Sequence, residues 1–190
     1  EHPFNPGSLV LGAKGTFFAR SLDSELKLNS EIMLAAAKHD GCSVMEMLVN
    51  CVIFNDGTHK IISDREYRAD RTIILRHGEK MIFGKNNDKG LALDYSQGLI
   101  PQLIVVPADD ERVLTHDATT QDPTLHRMLA MMGQEKTECE SLPIALGVIR
   151  RVAAESYDAA VNAQIEEVRS KSKAKTFDQL PQTLETWNIE

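Results

Sequence analysis

Cysteine is scarce in this chain: three residues among 190, Cys42, Cys51 and Cys139, odd in number, widely spaced and without a C-x-x-C pair. That usage excludes the disulfide framework of a small secreted domain and suits a reducing cytoplasm. Positive charge is also short, because 21 Lys and Arg stand against 28 Asp and Glu for a net charge of −7. No concentrated basic face is left for nucleic-acid phosphates. The longest aliphatic run, Leu103 to Val106, is far below the roughly 20 residues of a membrane-spanning helix. There is no starting Met and no basic, apolar leader before Glu1, which points to a processed start or the cut end of something longer. What remains is ample for a core: with 42% hydrophobic residues, a chain of this size buries roughly two-thirds of its unfolded surface. One domain, or one with a small appendage, is expected.

The first forty-odd residues read as strand, helix, strand. Thr16–Ala19 is a short apolar run after Gly12 and Gly15, as for a buried strand entered through a turn. Ser21, Asp23 and Ser24 offer N-cap oxygens, and Leu28, Ile32 and Ala35 or Ala36 recur at helical spacing. Lys38 and His39 complement the helix dipole, and Gly41 is the expected C′ residue. Ser43–Val49 is nearly continuous in apolar character, like a strand covered on both faces. Together these predict a βαβ unit. Asn55-Asp56-Gly57 is a turn, and Thr72–Leu75, Met81–Phe83 and Leu91–Leu93 are short runs that predict hairpins. Gln102–Val106 and Leu142–Ile149 read as strands. Asp122-Pro123 opens a helix expected to bury Leu125, Met128, Leu129 and Met132. A second amphipathic helix carries Tyr157, Val161, Ile165 and Val168 on one stripe and frays into Lys171, Lys173 and Lys175. A tail with Phe177, Leu180, Leu184 and Trp187 follows, suited to docking.

Cys51 stands out by position, just past the second strand of the βαβ unit, because open α/β sheets collect ligands outside the carboxyl ends of their strands. Against this stands the ordinary buried thiol, a small hydrophobe, which is also the expectation for Cys42 and Cys139. The dipeptides His39-Asp40 and His116-Asp117 echo the paired metal ligands of His-Asp phosphohydrolases. His39 is better explained as a helix-end residue. Gly12-Ala13-Lys14-Gly15 fits neither phosphate-loop pattern, no Gly-x-Ser-x-Gly elbow is present, and Lys171 to Lys175 read as a solvated helix end.

Several stretches nevertheless point to one family. Glu1-His2-Pro3-Phe4-Asn5-Pro6, Leu9–Ala13, Thr16–Arg20, His39 with Gly41, Asn50-Cys51-Val52-Ile53-Phe54-Asn55-Asp56-Gly57, His77-Gly78-Glu79, Ile82–Gly84 and Asp88–Leu91 together resemble the beta subunit of 2-oxoacid:ferredoxin oxidoreductases, particularly the 2-oxoglutarate type. The likeness runs more loosely through Tyr157-Asp158 to Trp187. It implies an α/β fold: residues 1–60 as the rear of a thiamine-diphosphate-binding domain with a parallel βαβ sheet, and 61–190 as a mixed α+β extension with hairpins and a docking tail. It further implies a hetero-oligomer that oxidatively decarboxylates a 2-oxoacid to acyl-CoA while reducing ferredoxin. Its partners would be the chain's own N-terminal half, an alpha or alpha-gamma subunit, ferredoxin, the 2-oxoacid and coenzyme A. Its cofactors would be thiamine diphosphate, Mg2+ and a 4Fe-4S cluster, with Cys51 of the Cys-x-x-Phe-Asn segment as one cluster ligand.

The departures are as informative. The family's early Cys-x-x-Cys pair, its third Cys and its Gly-Asp-Gly stretch have no counterpart here, and Asn86-Asn87-Asp88 reads as a hairpin turn. The resemblance therefore implies the C-terminal half of a beta subunit, inactive alone and holding most cofactor ligands elsewhere. The rival expectation is a non-catalytic binding or assembly module that keeps the fold.

Overall fold

The computed structural model describes residues 4–133, 142–174 and 176–179. In chain order it runs α1 (Pro6–Gly12), β1 (Phe17–Leu22), α2 (Leu26–Ala37), β2 (Ser43–Leu48), α3 (Lys60–Ser63), α4 (Arg68–Arg71), β3 (Thr72–Leu75), β4 (Ile82–Phe83), β5 (Lys89–Asp94), β6 (Gln102–Pro107), α5 (Thr124–Met131), β7 (Ile144–Arg151) and α6 (Tyr157–Lys171). The chain divides into two compact units, Glu1–Ala154 and Glu155–Glu190.

In the first unit, a four-stranded sheet has the order β2-β1-β7-β3 and a three-stranded sheet the order β4-β5-β6. The predicted βαβ unit is there: β1 and β2 pair in parallel from Phe17 opposite Ser43 to Leu22 opposite Leu48, with α2 between them in sequence. β1 is buried along its whole length, and its alternation divides the core. Phe17 and Ala19 pack with Leu28 and Ile32 of α2. Phe18 faces the other way, among Leu11 of α1 and Leu129 and Ala130 of α5. A sheet with helices on both faces is the α/β arrangement. β4, β5 and β6 form the antiparallel hairpins that the glycine-punctuated middle of the chain predicts.

Several expectations need correction. β3 joins no hairpin; it pairs in parallel with β7, from Thr72 opposite Ile144 to Leu75 opposite Gly147, a long-range pairing that local spacing does not encode. Ser21 lies buried inside β1, so α2 starts later, at Leu26 after Glu25, without a side-chain cap. α2 ends on Lys38, and Gly41, at φ +130°, turns the chain beyond it. β2 is half-buried, because it lies at a sheet edge with one neighbour. α5 starts at Thr124, where the Asp122 carboxylate accepts from the Thr124 N–H at 2.8 Å; Leu129 and Met132 are buried while Leu125 and Met128 are half-buried. The short α1 went unpredicted, although Asn5-Pro6 spells its start: the Asn5 side chain accepts from the Ser8 N–H at 2.7 Å and Pro6 occupies the first turn.

In the second unit α6 is the predicted amphipathic helix, capped by Ser156, with Tyr157, Ile165 and Val168 exposed. Phe177 lies in a short 3-10 turn and is exposed, while Lys175, Leu180, Leu184 and Trp187 fall outside the described residues. Among the described residues no helix is long and apolar enough to cross a membrane.

Candidate functional site

β1 and β2 end side by side, and the segment leaving β2 carries the candidate thiol. Asn50 closes this segment into a loop. Its Nδ2 donates to the Asp56 carboxylate at 2.9 Å and its Oδ1 accepts from the Gly57 N–H at 2.9 Å. Gly57 turns the chain at φ +74°, a conformation few other residues adopt. Within the loop the Asn55 N–H donates to the Cys51 carbonyl at 3.0 Å. The side chains of Val52, Ile53 and Phe54 are left outside, 73%, 83% and 90% exposed. Three consecutive large apolar residues so far in water form a patch of the kind that marks an interaction surface.

Cys51 is exposed, which overturns the buried-thiol expectation. Backbone N–H groups of Phe54 first, then Ile53, then Asn55, hold its pKa below the ordinary thiol value, since donors aimed at sulfur favour the thiolate. Thiolate is the form that binds metal. Hydrogen bonds to sulfur are also one of the levers by which proteins tune iron–sulfur clusters. The donor set of this loop therefore fits one cluster ligand. It fits no more than one. Cys42 is exposed too, against expectation, but it precedes β2 whereas Cys51 follows it. The six residues of the strand put roughly 20 Å between them at the extended-chain rise. Cys139 lies outside the described residues. Among the described residues no three His, Cys, Asp or Glu side chains converge as a metal site.

Beside the loop, a polar cavity of about 210 Å³ opens at the ends of the same two strands, lined by Asp23, Asn50, Gly57, His59, Lys60 and Ser63. Sequence reading missed His59, Lys60 and Ser63 as neighbours of this rim; only the fold of the loop brings them back to it.

The His-Asp dipeptides do other work. His39 Nε2 lies 3.0 Å from the Thr16 hydroxyl and its ring is tilted on Phe17. Burial, then the nearby Arg151, push its pKa down. His116 is buried with Nε2 2.9 Å from the Val148 carbonyl. Asp117 turns its carboxylate to the Thr119 N–H and hydroxyl. A third histidine, His126, is buried between the Asp117 carbonyl at 2.8 Å and the Arg150 guanidinium at 3.0 Å. Burial is the first cause that lowers the pKa of both His116 and His126. Lys14, in the Gly12–Gly15 stretch, takes φ +61° in the turn after α1. Asn87 takes φ +52° between β4 and β5, the hairpin-turn role expected for it.

No family model matches the chain. A curated relative does: "2-oxoglutarate oxidoreductase subunit KorB" of Mycobacterium tuberculosis is 33% identical over 192 aligned residues, which take in 100% of this chain and 50% of the relative. The chain thus spans about half the length of the curated relative it matches. A solved structure, the 2-oxoglutarate:ferredoxin oxidoreductase from Magnetococcus marinus with 2-oxoglutarate, coenzyme A and succinyl-CoA bound, is similar with a TM-score of 0.55 at 16% identity. That likeness covers 98% of this chain and 46% of that one, and it bears on the fold alone.

Proposed function

Because this chain is related along its whole length to half of a 2-oxoglutarate oxidoreductase subunit, we propose that it is the C-terminal half of the beta subunit of a 2-oxoglutarate:ferredoxin oxidoreductase. The intact cytoplasmic complex would convert a 2-oxoacid and coenzyme A to acyl-CoA and carbon dioxide and pass the electrons to ferredoxin. Its partners would be its own N-terminal half and an alpha or alpha-gamma subunit. When bound, thiamine diphosphate with Mg2+ supplies carbonyl-addition chemistry and the 4Fe-4S cluster supplies single-electron transfer.

The observation that carries this reading is the Cys51 loop. It presents one exposed thiol, favoured as thiolate by three backbone N–H groups, on a rim where α/β folds bind ligands. The chain's own contribution is to fix that sulfur. The Asn50 staple holds the loop, and Val52 to Phe54 offer an apolar cover that keeps water from the sulfur once a partner packs on them. Residues 1–60 belong on this reading to the cofactor domain and 61–190 to the extension. Alone, the chain holds one cluster ligand and is inactive.

The test is to produce the chain anaerobically together with the N-terminal half of a beta subunit that carries the Cys-x-x-Cys pair and Gly-Asp-Gly. The expected complex is brown and contains iron, Cys51→Ala bleaches it, and Cys42→Ala does not. Full iron and colour in the Cys51→Ala complex overturn the ligand assignment. A stable complex that never takes up iron favours the non-catalytic assembly module.

A further inference from the structure

A second cavity lies away from the Cys51 loop, on the α2 side of the sheet, where β3 ends at Leu75 and β7 runs on. It measures about 270 Å³ and is lined by Leu28, Ile32, Leu75 and Val148 together with Arg76, His77, Arg151 and Glu31. β7 needs a glycine here: Gly147 lines the cavity at φ +95°, and a Cβ on it would stand 2.5 Å from the Leu75 carbonyl oxygen. Among the described residues no strand pairs with β7 past Leu75 on that side. His116 takes the freed Val148 carbonyl at 2.9 Å. Arg150 hangs the following loop from β7 through the Thr120 and Gln121 carbonyls at 3.0 and 3.2 Å. The cavity wall is therefore fixed by buried polar bonds on one side and by core residues on the other.

The charges around it run against the sign of the whole chain, whose net charge is −7. Two guanidiniums line the cavity against one carboxylate, Glu31, and Arg76 already engages that carboxylate at 3.3 Å. His77 lies 3.4 Å from Asp117, which is outside the lining. Among the described residues Arg151 has no ion-pair partner, and its field reaches His39. An apolar floor beneath an unpaired guanidinium favours an amphiphilic anion, since a charge-assisted hydrogen bond strengthens next to low-dielectric surface. The volume lies just below the ~300–1,000 Å³ usual for drug-sized ligands, so the ligand is smaller.

We propose that this cavity is a binding site for a small organic anion, a short acyl or alkyl chain ending in a carboxylate or phosphate, with Arg151 holding the head group and Leu28, Ile32, Leu75 and Val148 the chain. It is independent of the cluster assignment.

The test uses the full chain, hexanoate and hexyl phosphate as probes, and hexanol and hexylammonium as neutral and cationic counterparts of similar shape. Methyl NMR follows Leu28, Ile32, Leu75 and Val148. Hexanoate or hexyl phosphate is expected to saturate shifts at these methyls, with hexanol about tenfold weaker, the worth of one charge-assisted bond, and hexylammonium silent. Arg151→Gln is expected to weaken the anion about tenfold and leave hexanol unchanged, while Arg112→Gln, an exposed arginine paired with Asp110, changes neither. Because Arg151 is exposed, the variant should keep its fold, which its spectrum reports directly. Equal affinity for hexanoate and hexanol, shifts confined to other methyls, or an Arg151→Gln protein that binds hexanoate as before would each overturn the site.

Discussion

Cys51 and Cys42 are both exposed thiols, but the Phe54, Ile53 and Asn55 amides act on Cys51. In the isolated chain Cys51 should therefore react with iodoacetamide along a pH profile whose midpoint lies below that of the same residue in urea, where the loop is gone. Peptide mass spectrometry reads this, and coincident profiles would count against the loop. A different residue-scale prediction concerns Arg20, buried on β1, whose Nε meets Glu46 at 2.6 Å and whose Nη2 meets the Ala130 carbonyl at 2.8 Å. Its Nη1 has no partner among the described residues. Removing the counter-charge strands a buried guanidinium, so Glu46→Ala should cost about 3 kcal/mol in urea unfolding, and Arg20→Met clearly less. The reverse order would refute the pair as drawn. His116 and His126 supply the pH dependence. Burial holds both folded pKa values below the unfolded one, so the unfolded chain takes up protons first. Stability is then complete above about pH 6.5 and falls with pH below it, by up to about 1.4 kcal/mol per pH unit for each histidine. Unfolding midpoints measured from pH 7.5 to 5 should show the fall, and His126→Gln should flatten it.

At the scale of elements, the βαβ unit follows from local signals: apolar runs, a helical period in α2 and glycines near their ends. β7 is different. It sits between β1 and β3, antiparallel to one and parallel to the other, with a register shift opposite Phe18 and Ala19. Its Gly147 has a backbone that L side chains rarely adopt and no room for a Cβ beside Leu75. Gly147→Ala should destabilise the chain by about 1–3 kcal/mol, the range for a strained backbone. It should also loosen β3, read as faster amide exchange from Thr72 to Leu75. Exchange that stays unchanged would mean that β3 is not held by this pairing.

The first unit ends its larger sheet on β2, an edge strand paired on one side. Near it Met33 and Leu34 of α2, Val49, and Val52 to Phe54 are exposed. Unpaired strand edges and clustered apolar residues are liabilities unless covered, and on the function proposed above the N-terminal half of a beta subunit is the cover. Addition of a beta subunit's N-terminal half should slow amide exchange from Ser43 to Gly57 at least tenfold while leaving β5 and β6 unaltered. Uniform or absent protection would remove this edge as the seam.

By itself the sequence determined the class of element at most positions, the turn at Asn55-Asp56-Gly57 and the family likeness, because each is written in near-neighbour spacing or in strings of residues. It also singled out Cys51, since a residue just past a parallel strand must lie at the sheet rim. Tertiary structure alone decided that β3 leaves the hairpins to pair with β7, and that His59 and Lys60 return to the rim beside Asp23. It alone gathered Arg76, His77 and Arg151 around one cavity. These depend on contacts between residues tens of positions apart, and their geometry is set by packing, which no local pattern records.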